Sequence, residues 1–361
     1  MIINQKSPTD FSGFYVIYKG SVLNEEPKNY GISHLMEHLM CKSFDHLFDD
    51  FDRYGISWNA YTSNTEIVFH FTGLDEYTQR FRDEFVESLK KFEITKEQFE
   101  TERNIVIQEY KDSFSDQQSA HIQNLRRTEY GNYSAIGKLQ ALEALTYSDI
   151  LEYRNVHLLK PSMIINVSKN SDYDKKIEFA EPKLLMHTPE PLENRVVEKM
   201  ADFQKASVIG YQHVKTDLPY IKIINYMLTG SLKAPLFYEI REKRGLTYGV
   251  WMYTYPEDEY SGILMTGCVT TPDKSQEVVD TYKHVLNNPD EFLTEERFKI
   301  ARDYFVVSTK KKKINRYRNI NDLIEAPVWS IEPILESVTF EDIKRVYDKY
   351  YYNFKWDIQQ P

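Results

Sequence analysis

The sequence predicts an α+β protein made of two related α/β sandwich domains, each with a mostly antiparallel sheet covered by helices. Three observations support this class. The chain has 361 residues, which is long for a single hydrophobic core. Short aromatic and β-branched runs occur near the ends of long amphipathic stretches. Two segments of the first half also recur, in the same order, in the second half.

The repeat consists of two pairs of similar segments. Residues 94–103 (ITKEQFETER) resemble residues 293–302 (LTEERFKIAR), and residues 145–150 (LTYSDI) resemble residues 338–343 (VTFEDI). The partners are separated by 199 and 193 residues, as expected for two diverged copies of one domain. We therefore expect a first domain at 1–170 and a second at 199–361. The polar, proline-containing stretch 171–198 is the expected linker.

The period of the apolar residues predicts the elements of each half. In the first half we expect a strand at 14–18, helices at about 32–42 and 44–53, one strand at 56–72 with an irregularity near Ser63, helices at 75–92, 95–114 and 147–156, and a strand at 163–167. In the second half we expect a strand at 206–211, a helix at 219–243 broken near Gly230, strands at 246–255 and 262–269, and helices at 274–286 and 294–311.

Charge and composition exclude several classes of protein. The net charge of -10 argues against nucleic acid as a partner, because phosphate binding needs a cationic surface. The basic residues 310–313, with Arg316 and Arg318, fit the solvated end of a helix, although they could contact phosphates. No stretch approaches the length of apolar residues that spans a bilayer, and the start of the chain has no signal-peptide pattern. Only two cysteines occur, which is typical of a reducing compartment, so we expect a cytoplasmic protein.

The main candidate site is the pentapeptide His34-Leu-Met-Glu-His38. Two histidines four apart on a helix project from one face, so both imidazoles can bind one metal ion. Glu37 follows His34 by three residues and lies close enough to take a proton from a water at that metal. This H-x-x-E-H order is known among zinc peptidases as the inverse of H-E-x-x-H.

A catalytic zinc ion usually has three protein ligands, so one more is needed. Glu102 and Glu109 are seven apart on the helix that begins near Thr95, and a carboxylate from that face could complete the site. At the repeat spacing of 199 residues, these acids correspond to Ala301 and Ser308. The half without the motif therefore also lacks both acids, which suggests one catalytic copy and one degenerate copy.

With these residues the chain resembles the pitrilysin-type (M16) zinc metallopeptidases, in particular their short two-domain, mitochondrial-processing-peptidase-like bacterial members. Members share H-x-x-E-H and, further along, a helix with two glutamates seven apart. The resemblance implies that His34, His38 and Glu109 bind one zinc ion per chain, that Glu37 is the general base, and that Glu102 orients the site through a ligand.

Two further stretches match the family. Residues 59–62 (NAYT) resemble an edge strand that binds the substrate backbone, which implies substrate contacts by Asn59, Ala60 and Tyr61. Residues 236–250 resemble a second-domain segment whose arginine and tyrosine contact substrate near the scissile bond. In this chain those residues are Arg241 and Tyr248.

The resemblance implies a zinc endopeptidase that hydrolyses peptides or unfolded segments inside a closed chamber formed by two chains, as a homodimer or a heterodimer with a related subunit. Two alternatives remain. The protein could be a non-catalytic scaffold or assembly subunit of the same fold. The zinc could also be structural, but only Cys41 is at hand as a fourth protein ligand, and a buried core role suits that residue better.

The sequence departs from the family pattern in three places. The strand that usually precedes residue 14 is missing or very short, the span between His38 and Asn59 is several residues shorter than usual, and Cys41 replaces a large apolar residue. None of these changes affects an expected metal ligand, so they bear on substrate specificity.

Overall fold

The computed structural model describes residues 1–131, 134–181, 192–257, 261–314 and 330–361. Contacts between Cα atoms divide the chain into two compact units. The first contains mainly Met1–Asp112 and Arg126–Asn194, and the second contains Ser113–Leu125 and Arg195–Lys311 with the C-terminal part of the chain. Part of the expected linker, at 182–191, and the basic residues Arg316 and Arg318 lie outside the described residues. The domain boundaries therefore stay a prediction.

Within the described residues, the sheet of the first unit has five strands in the order β1-β5-β2-β4-β3. Their bounds are β1 Ile2–Lys6, β2 Phe11–Lys19, β3 Ser57–Thr62, β4 Glu66–Leu74 and β5 Met163–Ser168. Only the β1–β5 pair is parallel, and the other neighbours are antiparallel. Strand β2 lies in the middle of the sheet, and its residues 12–18 are all buried.

The described residues of this part of the chain also form helices. They are α1 Ile32–Cys41, α2 Phe48–Arg53, α3 Asp75–Thr78, α4 Arg82–Lys91, α5 Lys96–Ser113, α6 Gln117–Tyr130, whose first nine residues group with the second unit, α7 Leu139–Ala144 and α8 Tyr147–Tyr153. Helix α1 is amphipathic, and its residues Leu35, Met36, Leu39 and Met40 belong to the core. The opposite face of α1 is the one that carries the two histidines.

One expectation about strands in this unit is wrong, and a second, that the strand before residue 14 is missing or very short, is decided in favour of a short strand. The single strand expected at 56–72 is a hairpin of β3 and β4, because the Ser63 amide donates to the Glu66 carbonyl at 2.8 Å and reverses the chain. The strand preceding residue 14 is present and short: β1 has five residues and pairs with β5. Strands β1 and β3 form the two edges of the described sheet.

In the second unit, the residues that the structure describes form a four-stranded antiparallel sheet in the order β7-β8-β6-β9. The strands are β6 Ala206–Val214, β7 Trp251–Pro256, β8 Gly262–Thr270 and β9 Lys355–Gln359. The main helices are α9 Leu218–Thr229, α10 Pro235–Phe237, α11 Ser275–Leu286, α12 Pro289–Phe292, α13 Glu295–Ile314 and α14 Phe340–Tyr350. The strand expected to begin at Leu246 begins at Trp251, and β9 and α14 were not predicted.

Capping interactions show the internal repeat at atomic level. Thr146 caps α8 and Thr339 caps α14, each in a reciprocal capping box with an aspartate three residues on. Thr95 and Gln98 form a capping box at the start of α5. The two sheets, their helices and these shared caps confirm the predicted α+β class with two related domains. Among the residues that the structure describes, every helix is too short or too polar to span a lipid bilayer.

Aromatic side chains connect the segment that follows α1 to strand β3. The Phe44 ring, which is fully buried, lies 5.5 Å from Trp58, 4.7 Å from Phe85 and 6.4 Å from Phe69, measured between ring centroids. Trp58 also stacks on Phe48 at 4.4 Å. This cluster joins side chains from β3, β4, α2, α4 and the turn that contains Phe44, so it fixes the edge hairpin against the segment that follows α1.

Candidate active site

The buried carboxylate of Glu25 binds backbone amides at the start of α1. Gly31, in the left-handed region at φ 100°, is the N-cap of the helix. Glu25 accepts hydrogen bonds from the backbone amides of Gly31 at 2.8 Å and Ser33 at 2.9 Å. Burial raises the pKa of Glu25 to about 7, although these hydrogen bonds oppose the shift. The side chain thus satisfies two amides at the helix start that have no partner within the helix.

His34 and His38 lie one turn apart on α1, as the sequence predicts. Their ring centroids are 4.9 Å apart and the ring planes are nearly perpendicular. Burial, and secondly the neighbouring His38, lowers the pKa of His34 to about 4. His34 is therefore neutral at physiological pH, which is the form of imidazole that binds metals.

Glu109 on α5 is brought to both histidines. Its Oε2 atom lies 3.5 Å from Nε2 of His34 and 3.6 Å from Nε2 of His38. These three residues form the group of possible metal ligands found in the described part of the chain. A tetrahedral zinc ion with bonds of about 2.0–2.1 Å separates its ligand atoms by about 3.4 Å. The two distances are long for hydrogen bonds but fit the edges of such a tetrahedron, and two imidazoles with one carboxylate are a known catalytic zinc donor set.

Glu102, two turns before Glu109 on α5, points to the other side of His38. Its Oε2 atom lies 3.1 Å from Nδ1 of His38, and its Oε1 atom lies 3.0 Å from Nζ of Lys42. An ionised carboxylate can only accept hydrogen bonds, so Nδ1 of His38 carries the hydrogen. This leaves Nε2 of His38 as the nitrogen whose lone pair faces Glu109. The structure thus places Glu102 behind a candidate ligand and away from the three candidate ligand atoms.

Glu37 is held by β3. The hydroxyl of Thr62 donates to Oε2 of Glu37 at 2.7 Å. Burial raises the pKa of the Glu37 carboxyl, with the nearby Glu109 adding to the shift, while Thr62 and His38 oppose it. A raised pKa makes the carboxylate a better proton acceptor, which suits the predicted general base.

Asn59, Ala60 and Tyr61 lie on β3, which forms one edge of the sheet in the described part of the first unit. They pair through the other side of the strand with His70, Phe69 and Val68 of β4. The strand ends at Thr62, so the edge runs directly to the residue that holds Glu37. Their substrate contacts stay a prediction.

Arg241 and Tyr248, in the second unit, contact each other. The guanidinium carbon of Arg241 lies 4.7 Å from the centroid of the Tyr248 ring and 4.8 Å from that of Phe237. Tyr248 is 87% exposed, so its ring and hydroxyl are available to another molecule. Arg241 is thus held between two aromatic rings, in a conformation that these cation–π contacts stabilise.

Two residues around the motif were not singled out in the sequence. Lys42 lies four residues after His38 on the continuing helical turns, a spacing that could have indicated its proximity to Glu102. Gly137 carries a positive φ of 72°, and a Cβ there would lie 2.4 Å from Cα of Gly31. Nothing in a single sequence indicates this backbone approach between two glycines far apart in the chain.

The fold and the site define a class of protein: two related α+β units, the first carrying H-x-x-E-H on one helix and a partner glutamate on another. Two family models match accordingly. Residues 1–140 match insulinase (peptidase family M16), and residues 160–305 match the peptidase M16 inactive domain. The chain belongs to peptidase family M16.

Known proteins agree with this assignment. A Bacillus subtilis protein named uncharacterized zinc protease YmxG is 24% identical over 308 residues, covering 79% of this chain and 75% of that protein. The beta subunit of the mitochondrial-processing peptidase of Bos taurus is 21% identical over 165 residues, covering 43% of this chain and 34% of the subunit. The crystal structure of a protease from Helicobacter pylori has a TM-score of 0.81 at 14% identity, covering 100% of this chain and 97% of that one.

Proposed function

We propose that the protein is a zinc-dependent endopeptidase that hydrolyses peptides or unfolded polypeptide segments. The observation that carries the proposal is the approach of Glu109 Oε2 to Nε2 of both histidines, at 3.5 and 3.6 Å. His34, His38 and Glu109 would hold one zinc ion per chain. The zinc-protease names of the relatives support the choice of metal.

Zinc bound there would supply Lewis acidity and bring the pKa of a coordinated water towards 7. Glu37 takes a proton from the attacking water on Oε1, since Oε2 is engaged by Thr62. The water oxygen forms a bond to the scissile carbonyl carbon. Glu37 then delivers the proton to the amide nitrogen as the C–N bond breaks, which leaves a carboxylic acid and an amine. The acid gives its remaining proton to the amine, so the final products are a carboxylate and an ammonium group.

Substrate positioning falls to the edge strand and the arginine–tyrosine pair. A peptide in extended conformation would add to β3, an edge strand of the described sheet, alongside Asn59, Ala60 and Tyr61 through backbone hydrogen bonds. Such binding depends weakly on side-chain identity, which suits unfolded segments of varied sequence. Arg241 would hold a substrate carbonyl, and the exposed Tyr248 would donate a hydrogen bond to the oxyanion.

A second chain would complete the site. Two chains would close around a chamber, as a homodimer or with a related subunit, and Arg241 and Tyr248 of one chain would serve the zinc site of the other. Support comes from the relatives, one of which is named as a subunit of a processing peptidase. A closed chamber would admit peptides and exclude folded proteins.

A reducing compartment, such as the cytoplasm, suits the chain. Both cysteines, Cys41 and Cys268, are free thiols. Burial raises the pKa of Cys268 to about 12, and its side chain is almost completely inaccessible, so it is an inert core residue.

The first experiment measures zinc content and the cleavage of a quenched unstructured peptide, with and without a chelator. Wild-type protein should contain about one zinc ion per chain, as expected for a catalytic site of this type, and lose activity with chelator. Glu37→Gln should keep zinc and lose hydrolysis, whereas His38→Ala should lose both. Full peptidase activity in Glu37→Gln would rule out the mechanism.

The same experiment decides between an enzyme and a scaffold. A chain that assembles with a related subunit but neither binds zinc nor cleaves the peptide would be a non-catalytic subunit. Stoichiometric zinc in a protein that does not cleave the peptide would indicate a structural metal.

Assembly of the site from two chains is tested by mixing inactive variants. Glu37→Gln lacks the base, and Arg241→Ala lacks a substrate contact. In a mixed dimer, the Arg241→Ala chain keeps Glu37, and the Glu37→Gln chain keeps Arg241. If the site is shared, these two residues meet at one zinc site, and part of the activity should return. Absence of recovery after verified subunit exchange would contradict sharing.

A further inference from the structure

We propose that Lys42 is a positioning residue for the metal site: it fixes Glu102, and through Glu102 it fixes the ring of His38. The inference rests on the proposed function, since it concerns the same site. It concerns a residue that neither contacts the candidate ligand atoms nor takes part in proton transfer.

The carboxylate of Glu102 is enclosed in the protein. The residue is only 4% exposed, and each of its oxygens has a different partner: Nδ1 of His38 at 3.1 Å and Nζ of Lys42 at 3.0 Å. A buried carboxylate is costly unless it is paired and hydrogen-bonded. Lys42 is the cation of this pair, and its side chain is 42% exposed, so its ammonium group stays hydrated on one side.

The second copy of the domain shows what this position contains without a site. Ala301, the counterpart of Glu102, is 0% exposed. The position is therefore interior in both copies, and an apolar residue satisfies packing there. The charged pair therefore occurs in the copy that carries the motif, where Glu102 contacts His38.

Helix geometry explains why Lys42 can reach Glu102. Lys42 follows His38 by four residues and directly follows the last residue of α1 with helical backbone angles, so both side chains lie on one face. Glu102 comes from α5 and lies between them. Its two oxygens are thus fixed by two side chains of one helix, which sets the plane of the carboxylate.

The orientation of this carboxylate controls the direction of His38. Because Oε2 accepts the hydrogen of Nδ1, the imidazole is held in the tautomer with a free lone pair on Nε2. Without Lys42, the carboxylate can rotate away, and the ring loses both its tautomer preference and its orientation. The expected consequence is weaker metal binding.

The test compares zinc affinity in full-length variants, measured by competition with a chromophoric chelator. Lys42→Met keeps the aliphatic stem but removes the charge, and Lys42→Arg keeps a charged donor. Lys90→Met is the matched control, because Lys90 pairs with Glu87 on α4 and not with Glu102. The thermal stability of each metal-free variant is measured in parallel, together with the visible spectrum of the cobalt-loaded form.

Lys42→Met should weaken zinc binding by about tenfold, the lower end of the range for residues that support metal ligands. Lys42→Arg should bind more tightly than Lys42→Met, Lys90→Met should match wild type, and the cobalt spectrum should change only in Lys42→Met. Wild-type affinity in Lys42→Met would overturn the inference. A loss of metal-free stability in Lys42→Met without rescue by arginine would overturn it as well, by showing a structural role.

The zinc measurements distinguish a failure of the proposed function from a failure of the proposed role of Lys42. If wild type and His38→Ala bind zinc equally, the metal does not lie at the motif, whatever Lys42 does. If His38→Ala loses zinc and Lys42→Met does not, only the role of Lys42 is wrong.

Discussion

Thr62 donates a 2.7 Å hydrogen bond to Glu37 across the boundary between strand β3 and helix α1. Thr62 is the last residue of β3, and Glu37 lies in the middle of the motif helix. The bond occupies Oε2 of Glu37 and fixes the plane of the carboxylate. The same strand that offers its edge to a peptide therefore also positions the proposed base.

Replacing Thr62 by valine tests this relationship. Valine has the shape of threonine but no hydroxyl, so Glu37 loses its donor while the strand keeps its packing. A hydrogen bond to a charged group contributes about 1.5–3 kcal/mol, so kcat/KM should fall by about tenfold or more. Zinc content should stay at the wild-type level, because Thr62 does not contact the candidate ligands.

Thr72→Val is the control, since Thr72 lies in the same sheet on β4 and pairs with Ser57. It should leave kcat/KM unchanged. Equal losses in both variants would show that the effect comes from the sheet and not from Glu37.

A second prediction concerns the backbone contact at the start of α1. Gly137→Ala should destabilise the first unit and weaken zinc binding, because the new methyl group would lie 2.4 Å from Cα of Gly31 and 2.6 Å from the carbonyl oxygen of Tyr30. Backbone atoms cannot yield as a flexible side chain can, so the first turn of the motif helix has to move. Chemical denaturation and zinc competition measure the two effects.

Gly55→Ala separates this clash from simple backbone strain. Gly55 also has a positive φ, 62°, but a Cβ there meets nothing within 4 Å. It should cost about 1–2 kcal/mol, the usual price of a left-handed conformation for a residue with a side chain, and leave zinc affinity unchanged. Similar zinc affinities in the two variants would contradict the proposed displacement of α1.

The pH dependence of stability should reveal Glu25. Its pKa in the fold, about 7, lies above its ordinary value of 4.5, so the folded state binds more protons than the unfolded state between these values. The free energy of unfolding should therefore fall as the pH rises from about 4.5 to 7. Each pKa unit corresponds to about 1.4 kcal/mol, so the contribution of Glu25 across the window should be roughly 3 kcal/mol.

Glu25→Gln removes the titration but keeps the size of the side chain. Stability of wild type and variant is measured by denaturant unfolding at several pH values, and the difference between them cancels the other titrating groups. The advantage of wild type over the variant should shrink as the pH rises. A constant difference would show that Glu25 does not titrate in this range.

The two capping boxes that occur at matching positions of the repeat can be tested by removing each capping threonine. Thr146→Ala and Thr339→Ala each remove an N-cap whose hydroxyl accepts from the amide three residues on. Each should cost about 1 kcal/mol. Amide hydrogen exchange should accelerate at Asp149 in the first variant and at Asp342 in the second. Exchange that is unchanged at the capped amide would contradict the capping role.

Local patterns predicted most of the fold. Helical spacing of apolar residues located α1, α5, α11 and α13, since one buried face imposes a period of 3.6 residues. The sequence predicts one strand in place of the β3–β4 hairpin, because apolar residues occur in both strands and the turn at Ser63 contains no glycine or proline. The sequence does not predict the edge strand β1, whose five residues show no clear alternation and pair with β5, about 160 residues later.

The sequence alone determined the residues of the candidate site: His34, Glu37 and His38 on one helical face, and Glu102 and Glu109 on another, because spacing along a helix fixes direction. The resemblance to M16 peptidases also came from the sequence, and the family models confirm it. Only the tertiary structure decided which contacts form between elements. It brought Glu109 to both histidines, Thr62 to Glu37, Lys42 to Glu102 and Gly137 to Gly31, since packing of the core sets the distance between two helices or a helix and a strand, and no periodic pattern records that distance.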